Sequence, residues 1–361
     1  MKIKSIKTYC KNLSLIKPYS IAHHTFSTVE NVFLEIELAN GMLGIGAANP
    51  APEVVMETPA QTYQCLQSDF IQNLAGRDIR HFQQLIYEVK CQFPGLPGTQ
   101  AAVDIALHDA FGNFLGIPVV QFYGQKIKSL PTSVTIGIMN VAETLQEAEA
   151  FYQKGFRVLK VKTGMDIEED IERVLKLQER FKNNIKIRVD ANQGYTLEVL
   201  NKFIEATTMA EVELIEQPLP VANEKELLNV DRAIRKYLAA DESLKNAGSA
   251  LALSQPPQPF GIFNIKLMKC GGILSALEIA TIARNAAIEL FWGCNDESII
   301  SITAALHVAF ACENTRYIDL DGSFDLAEDI VTGGFVVEDG YMKPNGEAGL
   351  GVSKLKKFQP A

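Results

Sequence analysis

Five side chains able to do acid–base or metal chemistry close five successive short apolar runs. Lys162 ends RVLKVK (157–162), Asp190 ends KIRVD (186–190), Glu216 ends VELIE (212–216), Asp241 follows Ala239-Ala240, and Lys266 follows Asn264-Ile265. Three carboxylates brought to one place repel one another unless a cation lies between them. Oxygen-only ligands suit a hard divalent ion, best Mg²⁺, with positions left over for water and substrate. The outer members are lysines, and Lys160 lies two residues before Lys162, so these two share one face of a strand. A neighbouring cation can lower a lysine's pKa toward the range of a general base. An eighth run ends Asp319-Leu320-Asp321, an acidic pair that calls for a cationic partner. Each piece alone has a plain structural reading as a helix cap, a turn or a solvated strand end. Their order (Lys, Asp, Glu, Asp, Lys) at near-constant spacing argues for chemistry.

The elements that must position these groups follow a period. Short apolar or β-branched runs begin near Thr132, Arg157, Lys186, Val212, Leu238, Ile262, Glu289 and Thr315, at steps of 24–29 residues. Helical patterns lie between them, as at 166–181 and 274–286, where Leu274, Leu277, Ala280 and Ile282 share a face. Eight strand-then-helix units of this length predict a (β/α)8 barrel over 126–330, with catalytic side chains at the C-terminal strand ends. A doubly wound open sheet is the competitor, but no G-x-G-x-x-G follows any strand. Residues 1–125 read differently, as an α+β capping domain. ENVFLEIEL, Asn40-Gly41 and MLGIGAA form a hairpin signal over 30–48, and helical patterns follow near 59–75, 79–91 and 99–115. Strand and turn character returns at 334–354, so the segment 331–361 is expected to pack back on the capping domain.

Composition removes several function classes. The 361 residues are 47% hydrophobic and 21% charged, an ordinary globular balance. A net charge of −9 disfavours a nucleic-acid partner. The five histidines (His23, His24, His81, His108, His307) form no HxH or HExxH, too little for a histidine-built zinc hydrolase. Six cysteines without C-x-x-C spacing predict reduced thiols and a cytoplasmic setting. No apolar run reaches the length of a signal-peptide core or a membrane span, so no membrane partner is expected.

The chain resembles the muconate-lactonizing subgroup of the enolase superfamily over essentially its full length. The matching text is LKVKTG (159–164), RVDANQGY (188–195), IEQPLP (215–220), ADES (240–243), NIKLMKCGG (264–272) and, before the barrel, AAVDIALHDAFGNFLGIPV (101–119). The resemblance implies one Mg²⁺ per subunit on Asp190, Glu216 and Asp241. It also implies acid/base lysines at Lys162 and Lys266, with Lys160 tuning Lys162. A metal-stabilised enediolate flanked by two lysines suits 1,1-proton transfer. Asp319 and Asp321 match the D-x-D with which dipeptide epimerases of this superfamily hold a substrate α-ammonium. The expected reaction is therefore epimerisation of a dipeptide such as L-Ala-L/D-Glu, suited to peptidoglycan-peptide recycling. Muconate-type cycloisomerisation, o-succinylbenzoate synthesis and N-acylamino-acid racemisation are the alternatives on the same site. KPYSIAHHTFSTVEN (17–31) resembles the family's mobile specificity loop, with His24 where Ala-Glu epimerases carry an arginine. Thr135 and Glu297 complete the substrate-binding candidates. A homo-oligomer is expected, as is common in the family.

Overall fold

Alternating apolar residues on both sides of Asn40-Gly41 pair as expected, but the first arm is longer than its sequence suggests. The computed structural model describes residues 1–21, 24–207 and 212–355, and the side chains of all of these except 17–26. Strand β1 (Ile3–Ile21) pairs antiparallel with β2 (His24–Leu38), and β3 (Leu43–Ala48) adds to β2. Gly41 turns the second hairpin at φ 84°, a region that a side chain would strain. The segment read as a loop at 17–31 is the tip of the first hairpin, with Tyr19 opposite Phe26 and Ile21 opposite His24.

Five helices follow: α1 (Pro52–Val55), α2 (Pro59–Leu66), α3 (Asp69–Gln72), α4 (Phe82–Gln92) and α5 (Pro97–Leu115). The single helix expected near 59–75 is broken between α2 and α3, where the Ser68 hydroxyl donates to Cys65 O and competes with the helical ladder. Helix α5 is buried nearly all round, which explains its apolar sequence. Its bare N-terminal amides at Gly98 and Thr99 donate to the buried Glu57 carboxylate at 2.6 and 2.9 Å. Gly46 lets α5 reach the sheet, since a Cβ there would stand 1.9 Å from Ala102 O.

After the short β4 (Leu130–Pro131) come eight parallel strands in sequential order. They are β5 (Val134–Ile136), β6 (Val158–Lys162), β7 (Lys186–Asp190), β8 (Val212–Glu216), β9 (Leu238–Ala240), β10 (Ile262–Ile265), β11 (Glu289–Trp292) and β12 (Thr315–Ile318). A parallel bridge between Thr132 and Ile318 joins the two ends of the sheet into a (β/α)8 barrel. Thr132 serves in this closure, so the first strand begins two residues later than expected. The outer helices are α6 (Val141–Gln153), α7 (Ile167–Phe181), α8 (Leu197–Ala206), α9 (Arg232–Arg235), α10 (Ala247–Leu253), α11 (Leu267–Cys270), α12 (Ile273–Asn285) and α13 (Ile299–Ala311). Among the described residues no helix is long and apolar enough to cross a membrane.

The C-terminal strands are β13 (Val331–Gly333), β14 (Phe335–Glu338), β15 (Tyr341–Pro344) and β16 (Val352–Lys354). Residues after β15 touch the first domain: Leu350 N donates to Asp109 Oδ1 on α5 at 2.8 Å, and Gly349 N donates to Ile117 O at 3.0 Å.

His307 on α13 is buried, with Nδ1 accepting Val120 N at 3.1 Å and Nε2 unpartnered. Burial pushes its pKa down to about 3. The unfolded chain takes up a proton below the ordinary histidine pKa, but the folded one does not. The group therefore costs stability increasingly as pH falls from about 6.5, by about 2 kcal/mol at pH 5. His307→Gln, which keeps an acceptor for Val120 N, is expected to lose less thermal stability than wild type between pH 7 and pH 5. Parallel Tm curves for the two proteins would refute this.

Candidate active site

Sequential parallel strands carry residues of equal register to the same end of a barrel. Lys162 on β6 stands beside Asp190 on β7, and Asp190 beside Glu216 on β8. Asp241, Lys266 and Asp319 each follow directly on the last residue of β9, β10 and β12. Asp190, Glu216 and Asp241 are 1%, 0% and 3% exposed, so their charges must be met inside the protein.

Lysines meet them in this structure. Lys160 Nζ lies 2.8 Å from Asp319 Oδ2, 2.9 Å from Glu216 Oε2 and 3.1 Å from Asp190 Oδ2. Lys162 Nζ donates to Asp190 Oδ2 at 2.8 Å and to Asn192 Oδ1 at 2.9 Å. Lys266 Nζ donates to Asp241 Oδ2 at 2.8 Å, and Lys269 Nζ donates to the other oxygen of that carboxylate. Among the described residues, no three His, Cys, Asp or Glu side chains are grouped closely enough to hold an ion as they stand. The three acids expected around one ion are instead each turned toward an ammonium group.

The electrostatics show what this arrangement lacks. Four ammonium groups (Lys160, Lys162, Lys266, Lys269) face seven carboxylates: Asp190, Glu216, Asp241, Glu242, Glu297, Asp319 and Asp321. Glu216 is compensated only in part. Its Oε2 makes no hydrogen bond despite the nearby lysine, and burial beside Asp190 pushes its pKa up to about 8. Burial also opposes ionisation of Asp241, but Lys266 and Lys269 override it and hold that carboxylate far below its usual range. A buried carboxylate oxygen in an ion pair but without a hydrogen bond, an all-oxygen donor set and a surplus of negative charge fit a hard divalent cation.

The surrounding acids act on the lysines as well. Burial would lower Lys266, yet Asp241 and Glu216 more than offset it and raise its pKa. Lys160 is raised in the same way by Asp319, Glu216 and Asp190. Only Lys269 among these is lowered, because its burial outweighs Asp241. Lys269 also donates to Asn264 O at 3.1 Å, so it braces Asp241 from behind.

The acidic pair on the eighth run is divided. Asp319 accepts Ser133 Oγ at 2.6 Å as well as Lys160. Ser133 Oγ in turn accepts from Arg188 Nη1 at 3.0 Å, and Arg188 is buried in the barrel with Nε on Glu213 at 3.0 Å. Asp321 accepts the Thr135 backbone N–H at 2.8 Å, and burial with Asp319 and Asp325 nearby pushes its pKa up to about 7. Thr135 thus orients Asp321 through both its backbone N–H and its side chain. Glu297 is buried, accepts Asn295 N at 2.8 Å, and is pushed up to about 7 by that burial. The side chain of His24 lies outside the described residues. Arg188, Ser133 and Lys269 are the contributors that sequence reasoning did not place; the K-x-x-K spacing of Lys266 and Lys269 was the only available signal.

Residues 3–124 match the N-terminal domain of mandelate racemase / muconate lactonizing enzyme, and residues 143–356 match the enolase C-terminal domain-like family. An L-Lys-D/L-Arg epimerase of Desulforapulum autotrophicum is 50% identical over 98% of this chain and 100% of its own length. The dipeptide epimerase of Methylococcus capsulatus, crystallised with Mg and L-Arg-D-Lys, superposes with a TM-score of 0.95 at 47% identity, covering 98% of this chain and 99% of that one. The L-Ala-D/L-Glu epimerase of Bacillus subtilis is 29% identical over 98% of this chain and 97% of its own. The chain belongs to the mandelate racemase / muconate lactonizing enzyme branch of the enolase superfamily.

Proposed function

We propose that this chain is a Mg²⁺-dependent dipeptide epimerase acting at the α-carbon of the C-terminal residue, on dipeptides with cationic side chains. The observation that carries the reading is the pair Lys162 and Lys266. They stand at the mouth ends of β6 and β10, four strands apart in an eight-stranded barrel and so on opposite sides of it. Asp190, Glu216 and Asp241 would hold the ion between them. When bound there, Mg²⁺ supplies Lewis-acid stabilisation of the charge that develops on the substrate carboxylate. One lysine takes the α-proton from one face and the other returns a proton to the opposite face, inverting the centre. Lys160, tied to Asp319, keeps a fixed positive charge beneath the developing anion. Asp321, held by Thr135 through its backbone N–H at 2.8 Å and through its side chain, would receive the substrate's α-ammonium.

The cationic preference rests on the charge of the mouth. Asp296, Glu297, Asp321 and Asp325 add acids beyond the three that would hold metal, and Asp296 meets the capping domain through its carbonyl on Asn49. A glutamate side chain, as in the L-Ala-L/D-Glu substrate expected from the sequence, adds a further negative charge to this mouth. A lysine or arginine side chain neutralises it. The identities to the L-Lys-D/L-Arg epimerases support the same choice.

The test is α-proton exchange in D₂O across a dipeptide panel with Mg²⁺. Lys- and Arg-containing dipeptides are expected to exchange fastest, and no exchange from any dipeptide refutes the reading. Asp321→Asn is expected to raise KM for a dipeptide with a free N-terminus about 10–100-fold, the worth of a charged hydrogen bond. An unchanged KM would return the chain to the cycloisomerase, o-succinylbenzoate synthase and N-acylamino-acid alternatives, whose substrates carry no α-ammonium.

A further inference from the structure

Three residues one helical turn apart on α5, Gln100, Asp104 and His108, face the turn that follows Lys266. Asp104 and His108 are fully buried and Gln100 is 9% exposed. Asp104 Oδ2 accepts Leu274 N, at the start of α12, at 3.0 Å. His108 Nδ1 donates to Asp104 O at 2.8 Å and stands 2.8 Å from Asp104 Oδ1, which itself makes no hydrogen bond. Its Nε2 is hydrogen-bonded with the Tyr123 hydroxyl at 2.7 Å. The turn between them has no slack. Lys266 O accepts Lys269 N at 3.0 Å and Cys270 N at 3.2 Å, while Gly271 N and Gly272 N both donate to Leu267 O, at 2.9 and 3.1 Å. Gly271 and Gly272 sit at φ 91° and 105°. A Cβ on Gly272 would come within 2.6 Å of Asp104, and one on Gly271 within 2.3 Å of Gln100.

We propose that Asp104, fixed by His108 and Tyr123 and flanked by Gln100, is a positioning residue for Lys266, set from the capping domain and specific to one of the two proton-transfer faces. The opposite lysine has different support. The turn after Lys162 is held by barrel groups, with Thr163 N on Asp190 O at 2.8 Å and Gly164 N on Asp170 Oδ2 at 2.8 Å. Disturbing Asp104 therefore displaces one lysine and leaves the other in place. A packing role alone predicts equal slowing of α-proton exchange from the two epimers.

This inference rests on the epimerase reading, and the experiment separates the two. α-Proton exchange in D₂O is measured from each epimer of one dipeptide separately, with Mg²⁺, for the full-length protein. Lys266→Ala first identifies the epimer whose exchange depends on Lys266. Asp104→Asn is then expected to slow exchange from that epimer at least tenfold more than from the other. Gly272→Ala, which presses on the same carboxylate from the barrel side, is expected to give the same asymmetry and decides the matter should Asp104→Asn fail to fold. Tyr123→Phe should reproduce the asymmetry in weaker form. Equal slowing from both epimers, or no slowing in a folded variant, overturns the proposal. Wild-type protein that exchanges neither epimer of any dipeptide overturns the epimerase reading instead.

Discussion

Lys162→Ala and Lys266→Ala are each expected to lower kcat/KM for epimerisation by about 10⁴-fold, roughly 5 kcal/mol of transition-state stabilisation. Neither loss should be accompanied by unfolding. Lys162 is partly open at the mouth, and removing either ammonium leaves Lys160 and Lys269 to meet the acids. Inversion needs both lysines, but exchange needs one. Each variant should therefore still wash deuterium into the epimer whose α-hydrogen faces the surviving lysine. The two variants should be mirror images in this respect. Loss of exchange from both epimers in either variant would mean that one lysine serves both faces, and the opposed-base mechanism would fall.

Glu216→Gln should change stability in opposite senses with and without Mg²⁺. In protein stripped by a chelator, Glu216 is a buried carboxylate with one oxygen that makes no hydrogen bond, and its pKa is pushed up to about 8. A raised carboxylate pKa means that this group's contribution is fully present below about 4.5 and lost as pH rises toward 8. At pH 7 the loss amounts to about 3 kcal/mol, and glutamine does not incur it. The stripped variant should therefore melt above stripped wild type, with the gap closing toward pH 5. Saturating Mg²⁺ should raise the Tm of wild type, since at a hundredfold excess over Kd a ligand adds about 2.7 kcal/mol. It should move the variant little, and epimerisation should fall by about 10²–10³-fold. A stripped variant less stable than wild type would show that the Lys160 contact outweighs the burden of the buried charge.

Much of this was legible in the chain because parallel barrel strands are buried on both sides. They leave continuous apolar runs, and a charged residue ending such a run is conspicuous. Lys162, Asp190, Glu216, Asp241 and Lys266 were found in that way. Groups whose purpose depends on a distant partner left no mark. Ser133 meets Asp319 across 186 positions, and Asp104 meets Leu274 across 170. Thr135 contributes an N–H that any residue other than proline possesses. The break between α2 and α3 turned on one serine hydroxyl, and the reach of β1 on pairing that a single strand's pattern does not reveal. The raised pKa of Lys266 was not legible because it depends on Asp241 and Glu216, which meet it only in the folded barrel.

The unequal anchoring of Asp319 and Asp321 bears on how the mouth could evolve. Asp319 is one link in a continuous chain of polar contacts running from the half-buried Glu213 through the buried Arg188 and Ser133 to Lys160. Changing any member alone strands its neighbours in a dry interior, so that set is expected to drift only by concerted replacement. Asp321 is held by Thr135 alone, through a main-chain amide that survives substitution there and a side chain that does not. Lineages that abandon free-amine substrates should therefore alter position 321 first and keep 319, long after the chemistry that first required both has gone.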